Sequence, residues 1–226
     1  EQQLEDAWTF IDEHRDYFVG INFVGREDND KGHPLRFLST LRKLRAQSPS
    51  IPLSVHAGES DEPNTHIKDT LLLGADRIGH GYNLIEDPDT LLMMRNSPYL
   101  VEINLISNLL LEYADSIDDH PFPEYLRTGV PVTLSTDDRG MWSSNLTDEY
   151  YLAVSHFNLS WDELVELNTN AIAHSFMSEK DRETSLLRLK KETQRFIDNR
   201  LNNTPIADVQ QHYTFICSYA PAVCSE

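Results

Sequence analysis

Short apolar runs alternate with segments of helical character along most of the chain, and this alternation restricts the possible folds more than any other feature of the sequence. The apolar runs are rich in Val, Ile, Leu, Tyr and Phe, residues that favour or tolerate buried strands. Strands that alternate with helices in this way form βα units and a parallel sheet. The predicted strands cover residues 17–25, 51–57, 76–80, 99–105 and 130–136.

Helix-start signals follow several of these runs. Residues 34–46 repeat leucines with helical spacing behind a proline, which suits the first turn of a helix. Asp87 is predicted to be an N-cap, with Pro88 in the first helical position. In the last third of the chain only helices are predicted, and Ser160 and Ser178 are their expected N-caps.

Composition limits the class of protein and of partner. The 226 residues suffice for one domain, predicted over residues 1–201 and followed by a tail over residues 202–226. With 37 acidic and 19 basic residues, the formal charge of −18 would repel a phosphate backbone and argues against nucleic-acid polymers as partners. The sequence contains no apolar run of the roughly 20 residues that a membrane-spanning helix needs.

The two cysteines leave the compartment open. Cys217 and Cys224 stand close together in the tail, so they either form a local disulfide or remain free thiols. A disulfide would favour a periplasmic or secreted protein over a cytoplasmic one.

Polar side chains stand at the carboxyl ends of three predicted strands. In a parallel α/β barrel the active site is built at these ends, because the loops there converge on the barrel axis. Any one of these residues alone is typical of a cap or of a satisfied polar group, but their shared location indicates a site. The residues are His56, Glu59, His80, Asp137 and Asp138.

The residue types favour hydrolysis assisted by a metal ion. Histidine nitrogens and carboxylate oxygens are ordinary zinc ligands, and His56 and Asp137 fit that role. His80 could accept a proton from the attacking water or orient it. Glu59 follows a glycine that permits a sharp turn, so its carboxyl group could protonate a substrate in the same pocket. Asp138 would face another direction and accept a hydrogen bond from a substrate N–H.

Three motifs, "HAGE", "RIGHGYN" and "STDD", resemble in this order those of the purine deaminase branch of the metal-dependent amidohydrolases, that is, the adenosine deaminase family. The earlier stretch "VGINFVGREDNDKGHP" is similar to that of the growth-factor-related adenosine deaminases. The resemblance covers residues 17–200 and implies a (β/α)8 TIM-type barrel. This chain would supply about the last five βα units, followed by C-terminal helices.

The resemblance also implies a role for each site residue. His56 and Asp137 would bind one zinc ion, Glu59 would protonate the purine nitrogen N1, and His80 would handle the attacking water. Hydroxide would add at C6 and ammonia would leave, so that adenosine or 2′-deoxyadenosine becomes the corresponding inosine.

Two further residues would hold the purine ring. The resemblance assigns Asp138 to N7 and the backbone N–H of Gly25 to N3. Alternative substrates are AMP, N6-substituted adenosines or other adenine-bearing compounds, and the alternative class is a binding or signalling relative without turnover.

The sequence departs from the family pattern in its zinc ligands. The family closes its zinc site with two histidines one residue apart, and no such pair occurs in this sequence. We therefore expect an amino-terminal segment carrying these ligands to be a partner of this chain, and a homo-oligomer is left open. The other histidines are predicted to be solvated or capping residues, with His33 given some weight as a family position; they are His14, His33, His66, His120, His156, His174 and His212.

A second departure is Arg139, which stands where relatives have proline after the aspartate pair. It is either an ordinary loop residue or a ligand for a 5′-phosphate, since a guanidinium group suits bidentate phosphate contact.

Overall fold

A parallel five-stranded sheet, with its strands in chain order, underlies the fold. The computed structural model describes residues 1–25, 32–59, 65–204 and 214–224. The chain divides into two compact units: Glu1–Ile103 with His120–Thr133, and Asn104–Asp119 with Leu134–Glu226. The strands are β1 (Ile21–Phe23), β2 (Leu53–Ala57), β3 (Arg77–His80), β4 (Leu100–Ile103) and β5 (Val132–Leu134).

All five predicted strands are present, and each is shorter than predicted. The largest difference is at β1, where the sequence predicts strand from Tyr17 onward. The amide N–H groups of Tyr17 and Phe18 instead both bond to the carbonyl oxygen of His14, which makes a turn. An apolar run alone cannot distinguish a strand from the turn that leads into it.

Eleven α-helices surround or follow the strands in the described part of the chain. They are α1 (Gln2–Glu13), α2 (Leu38–Gln47), α3 (His66–Leu73), α4 (Pro88–Met94), α5 (Leu105–Leu110), α6 (Phe122–Thr128), α7 (Arg139–Trp142), α8 (Leu146–Phe157), α9 (Trp161–Ala173), α10 (Glu179–Leu201) and α11 (Phe215–Tyr219). No helix among the described residues is long and apolar enough to cross a membrane.

Local capping chemistry sets several helix boundaries as predicted. The side chain of Asp87 accepts a hydrogen bond from the N–H of Thr90 at 3.1 Å, with Pro88 in the first turn of α4. Ser160 forms a capping box with Glu163 at the start of α9, and Ser178 caps α10. The helix predicted over residues 34–46 begins with a 3₁₀ turn and continues as α2.

The core of the first unit lies on both faces of the sheet. Parallel register places Val55 opposite Ile78, and Ile78 opposite Val101. Side chains from α2, α4 and α6 complete this core, among them Leu41, Met94 and Phe122, and all three are fully buried. Burial of both faces explains the near-continuous apolar runs of these strands.

A disulfide bond between Cys217 and Cys224 decides between the two alternatives for these cysteines. It lies in the second unit, where Ile216 and Cys217 are buried. The hydroxyl of Thr214 donates to Asp148 Oδ1 at 2.9 Å and the N–H of Phe215 donates to the carbonyl of Ser143 at 2.8 Å. Residues 205–213 and 225–226 of the predicted tail lie outside the described residues.

Candidate active site

His56, Glu59 and His80 come together at the carboxyl ends of β2 and β3. The register pairs Ala57 with His80, so the two strands end at the same edge of the sheet. His56 Nδ1 lies 4.0 Å from Glu59 Oε2, and His80 Nε2 lies 3.6 Å from Glu59 Oε1. One nitrogen or oxygen atom from each of the three residues lies within 4.8 Å of the others. His80 is buried, whereas the other two side chains are partly exposed.

A glycine turn brings Glu59 back towards His56, as the sequence predicts. Gly58 has φ +72°, in the left-handed region that L-residues rarely adopt. Its carbonyl accepts a hydrogen bond from the N–H of Asn83 at 3.0 Å, which ties this turn to the loop after β3.

Gly79 in β3 makes room for the ring of His56, and sequence reasoning missed this residue. A Cβ atom at Gly79 would lie 2.8 Å from Cδ2 of His56, closer than real Cβ contacts. The glycine inside a predicted strand was the available signal, because such a glycine often marks close approach by a neighbouring group.

The loop after His80 is held by Tyr125, another residue that sequence reasoning missed. His80 itself has φ +67°, an uncommon conformation for a non-glycine residue. The hydroxyl of Tyr125 donates towards the carbonyls of Gly81 (3.1 Å) and Tyr82 (2.8 Å), and it accepts from the N–H of Ile85 at 2.9 Å. Burial raises the pKa of this hydroxyl well above its usual value, so it stays protonated.

His120 is a neutral imidazole in the same unit. Burial, and secondarily the charge of His80, lowers the pKa of His120 to about 3. Its Nδ1 accepts a hydrogen bond from the N–H of Phe122 at 3.1 Å, which places its proton on Nε2. His120 therefore caps the start of α6, which is one of the two roles predicted for it, but it is buried and not solvated.

A cavity of about 310 Å³ reaches His56 from the side of β1 and α1. Its walls include Gly25, the predicted purine contact, together with Asn22, Val55 and Phe37. The volume lies at the lower end of the range of small-molecule sites.

Asp137, Asp138 and Arg139 lie in the second unit, after the end of β5. Asp137 has φ +48° and its Oδ2 accepts a hydrogen bond from the hydroxyl of Ser107 at 2.6 Å. Asp138 is exposed and is the N-cap residue of α7, which begins at the exposed Arg139.

The donor chemistry of the first-unit cluster fits a metal ion. Two imidazoles and a carboxylate, with atoms this close together, are the ligand types that zinc accepts. From the sequence, only His56 of these three is predicted to be a ligand, whereas Glu59 and His80 are predicted to act in proton transfer and on the attacking water. The same donor types also bind other transition metals, so the cluster indicates a metal site in general and does not select zinc.

Comparison with known proteins identifies the relatives of this chain. The family described as "Adenosine deaminase" matches residues 2–192. An adenosine deaminase of Plasmodium cynomolgi is 34% identical over 177 residues, which cover 77% of this chain and 47% of that protein. The chain thus spans about half the length of such curated relatives.

Solved structures with the same fold agree. An adenine deaminase from Arthrobacter aurescens is 25% identical with a TM-score of 0.72, covering 84% of this chain and 58% of that chain. The Arabidopsis ADAL protein in complex with GMP is 26% identical with a TM-score of 0.72, covering 84% and 55%. These similarities confirm the predicted fold class, part of a (β/α)8 barrel.

Proposed function

Because the chain belongs to the adenosine deaminase family, we propose that the protein carrying it hydrolyses adenosine or 2′-deoxyadenosine to the corresponding inosine and ammonia, using one zinc ion. The observation that carries the proposal is the convergence of His56, Glu59 and His80 at the ends of two neighbouring strands.

His56 and Asp137 are the proposed zinc ligands. These residues would hold a zinc ion that, when bound, would lower the pKa of water and so supply hydroxide near neutral pH. The buried His80, with Nε2 3.6 Å from Glu59, accepts the proton of the attacking water and orients it.

Glu59 donates the proton that the purine N1 needs when hydroxide adds at C6. Its carboxyl group is held near both histidines by the turn at Gly58 and is largely shielded from bulk solvent, which supports this role. Asp138 contacts the N7 side of the ring, and the N–H of Gly25 donates to N3. The cavity that joins Gly25 to His56 supports the second of these contacts.

The remaining zinc ligands are proposed to come from a segment outside this sequence. Two facts support this: the sequence contains no histidine pair one residue apart, and the chain covers 47% of the P. cynomolgi relative.

The loss of ultraviolet absorbance as adenosine becomes inosine tests the proposal on the purified, zinc-supplied protein. Glu59→Gln removes the proton donor while keeping the shape of the side chain, so we expect turnover to fall by at least about a hundredfold. Glu124→Gln, an exposed position in the same unit, is the matched control and should retain full activity. Full activity in Glu59→Gln would contradict the assignment.

A nucleotide substrate is the second candidate. The relative solved with GMP and the exposed Arg139 beside Asp138 favour it. Turnover of AMP above that of adenosine, with a loss of this preference in Arg139→Ala, would establish it. The same preference in both proteins would remove the phosphate contact.

A further inference from the structure

The carboxyl group of Asp137 is held by a hydroxyl that has no part in the proposed chemistry. Ser107 is fully buried in α5, and its Oγ donates to Asp137 Oδ2 at 2.6 Å. This bond engages one carboxylate oxygen and leaves Oδ1 as the atom available to a metal ion. A carboxylate that binds a metal depends on such hydrogen bonds for its orientation.

A second buried carboxyl group fixes the helix that carries Ser107. Glu149 of α8 is fully buried, and its Oε2 accepts the N–H of Leu105 at 3.0 Å while its Oε1 accepts the N–H of Ile106 at 3.4 Å. These N–H groups belong to the first turn of α5, where backbone donors have no partner within the helix.

Glu149 occupies a position where a carboxyl group is costly. Burying an acid away from water is unfavourable unless hydrogen bonds or opposite charges compensate it. Here Asp148 and Asp137 add further negative charge nearby. The Glu149 carboxyl group accepts two N–H bonds at the start of α5, and these bonds indicate that the residue serves to place that helix.

We infer that Glu149 and Ser107 act in series as positioning residues for Asp137: Glu149 fixes the start of α5, α5 fixes the hydroxyl of Ser107, and this hydroxyl sets the direction of the Asp137 carboxylate. The inference rests on the proposed function, because it takes Asp137 to be a metal ligand. All four members of this series, Glu149, α5, Ser107 and Asp137, lie within the second unit.

The test measures the affinity of metal-stripped protein for Zn²⁺ by competition with a chromogenic chelator, a readout that does not depend on turnover. Ser107→Ala is expected to weaken zinc binding about 10- to 100-fold, the usual effect of removing an outer hydrogen bond from a metal ligand. Glu149→Gln keeps one acceptor oxygen and should lie near the lower end of that range.

The double variant distinguishes a series from two separate effects. If the residues act in series, Ser107→Ala with Glu149→Gln weakens binding no more than the stronger single change. Ser155→Ala and Glu166→Gln make the same substitutions at exposed positions in the second unit and should leave the affinity unchanged. For adenosine, kcat should fall while KM stays near the wild-type value.

Asp137→Ala separates the failure of this inference from that of the proposed function. Weaker zinc binding in Asp137→Ala, with wild-type affinity in Ser107→Ala, would overturn the positioning role. Wild-type affinity in Asp137→Ala would overturn the ligand assignment and the inference with it. Thermal unfolding of the metal-free variants monitors folding, and if Glu149→Gln does not fold, Ser107→Ala alone decides the outcome.

Discussion

Replacing Tyr125 with phenylalanine removes a single oxygen atom from the core of the first unit. The hydroxyl is buried and bonds to three backbone groups of the loop that follows His80. Phenylalanine fills the same space, so no cavity forms. The change therefore isolates the contribution of the hydrogen bonds.

The structure gives the magnitude of the effect. The hydroxyl proton serves one carbonyl at a time, so one donated bond is lost, with a net contribution of about 1 kcal/mol. The N–H of Ile85 also loses the partner that the structure gives it, which costs about 1–3 kcal/mol where water cannot replace it. We expect the free energy of unfolding to fall by about 2–4 kcal/mol.

Urea unfolding measures this change as a lower midpoint with an unaltered slope. Tyr17→Phe is the matched control, because Tyr17 lies in the same unit and is 84% exposed. Its midpoint should stay within error of the wild type. A loss below about 0.5 kcal/mol in Tyr125→Phe would show that the three contacts do not stabilise the loop.

Three further predictions concern other parts of the molecule. Gly79→Ala places a methyl group 2.8 Å from the ring of His56 and should displace that ring. Zinc affinity should therefore fall at least about tenfold. Unchanged affinity would mean that the ring of His56 does not bind the metal. Burial raises the pKa of Glu149 to about 8, so the folded protein keeps a proton that the unfolded chain releases. The free energy of unfolding should therefore fall as pH rises from about 4.5 to 8, by about 1.4 kcal/mol per pH unit at most. In calorimetry, Glu149→Gln should flatten this pH dependence. An equal slope in the wild type and the variant would show that Glu149 does not carry the raised pKa. Reducing the bond between Cys217 and Cys224 should lower the local free energy of unfolding of the segment around it by about 2 kcal/mol. The change should be measurable as faster amide hydrogen exchange at residues 215–219. Unchanged exchange would show that packing alone holds the segment.

Local and periodic features of the sequence predict the architecture well. The strand order follows from alternation of strands and helices, and the caps at Asp87 and Ser160 follow from side-chain chemistry within three residues. The convergence of His56 with His80 is predictable because parallel strands end at the same edge. Strand lengths were overestimated at β1, where an apolar run continues through a turn.

The supporting residues of the site could not be predicted in this way, because their contacts join distant parts of the chain. Tyr125 bonds to Gly81 across 44 positions, and Glu149 bonds to Leu105 across 44 positions. Neither residue stands in a motif or has a helical or strand spacing relative to its partner. His120 shows the same limit, since nothing in its local sequence reveals that it is buried.

Zinc dependence of adenosine turnover shows whether His56, Glu59 and His80 form a metal-dependent deaminase site. Metal-free protein is titrated with Zn²⁺ while bound metal and conversion of adenosine to inosine are measured together, for the wild type and for Glu59→Gln. Both proteins should bind one zinc ion per site, and activity should appear with zinc in the wild type and be absent in Glu59→Gln. Adenosine turnover that is independent of zinc, or equal in the two proteins, would contradict the claim that this cluster is the active site of a metal-dependent deaminase.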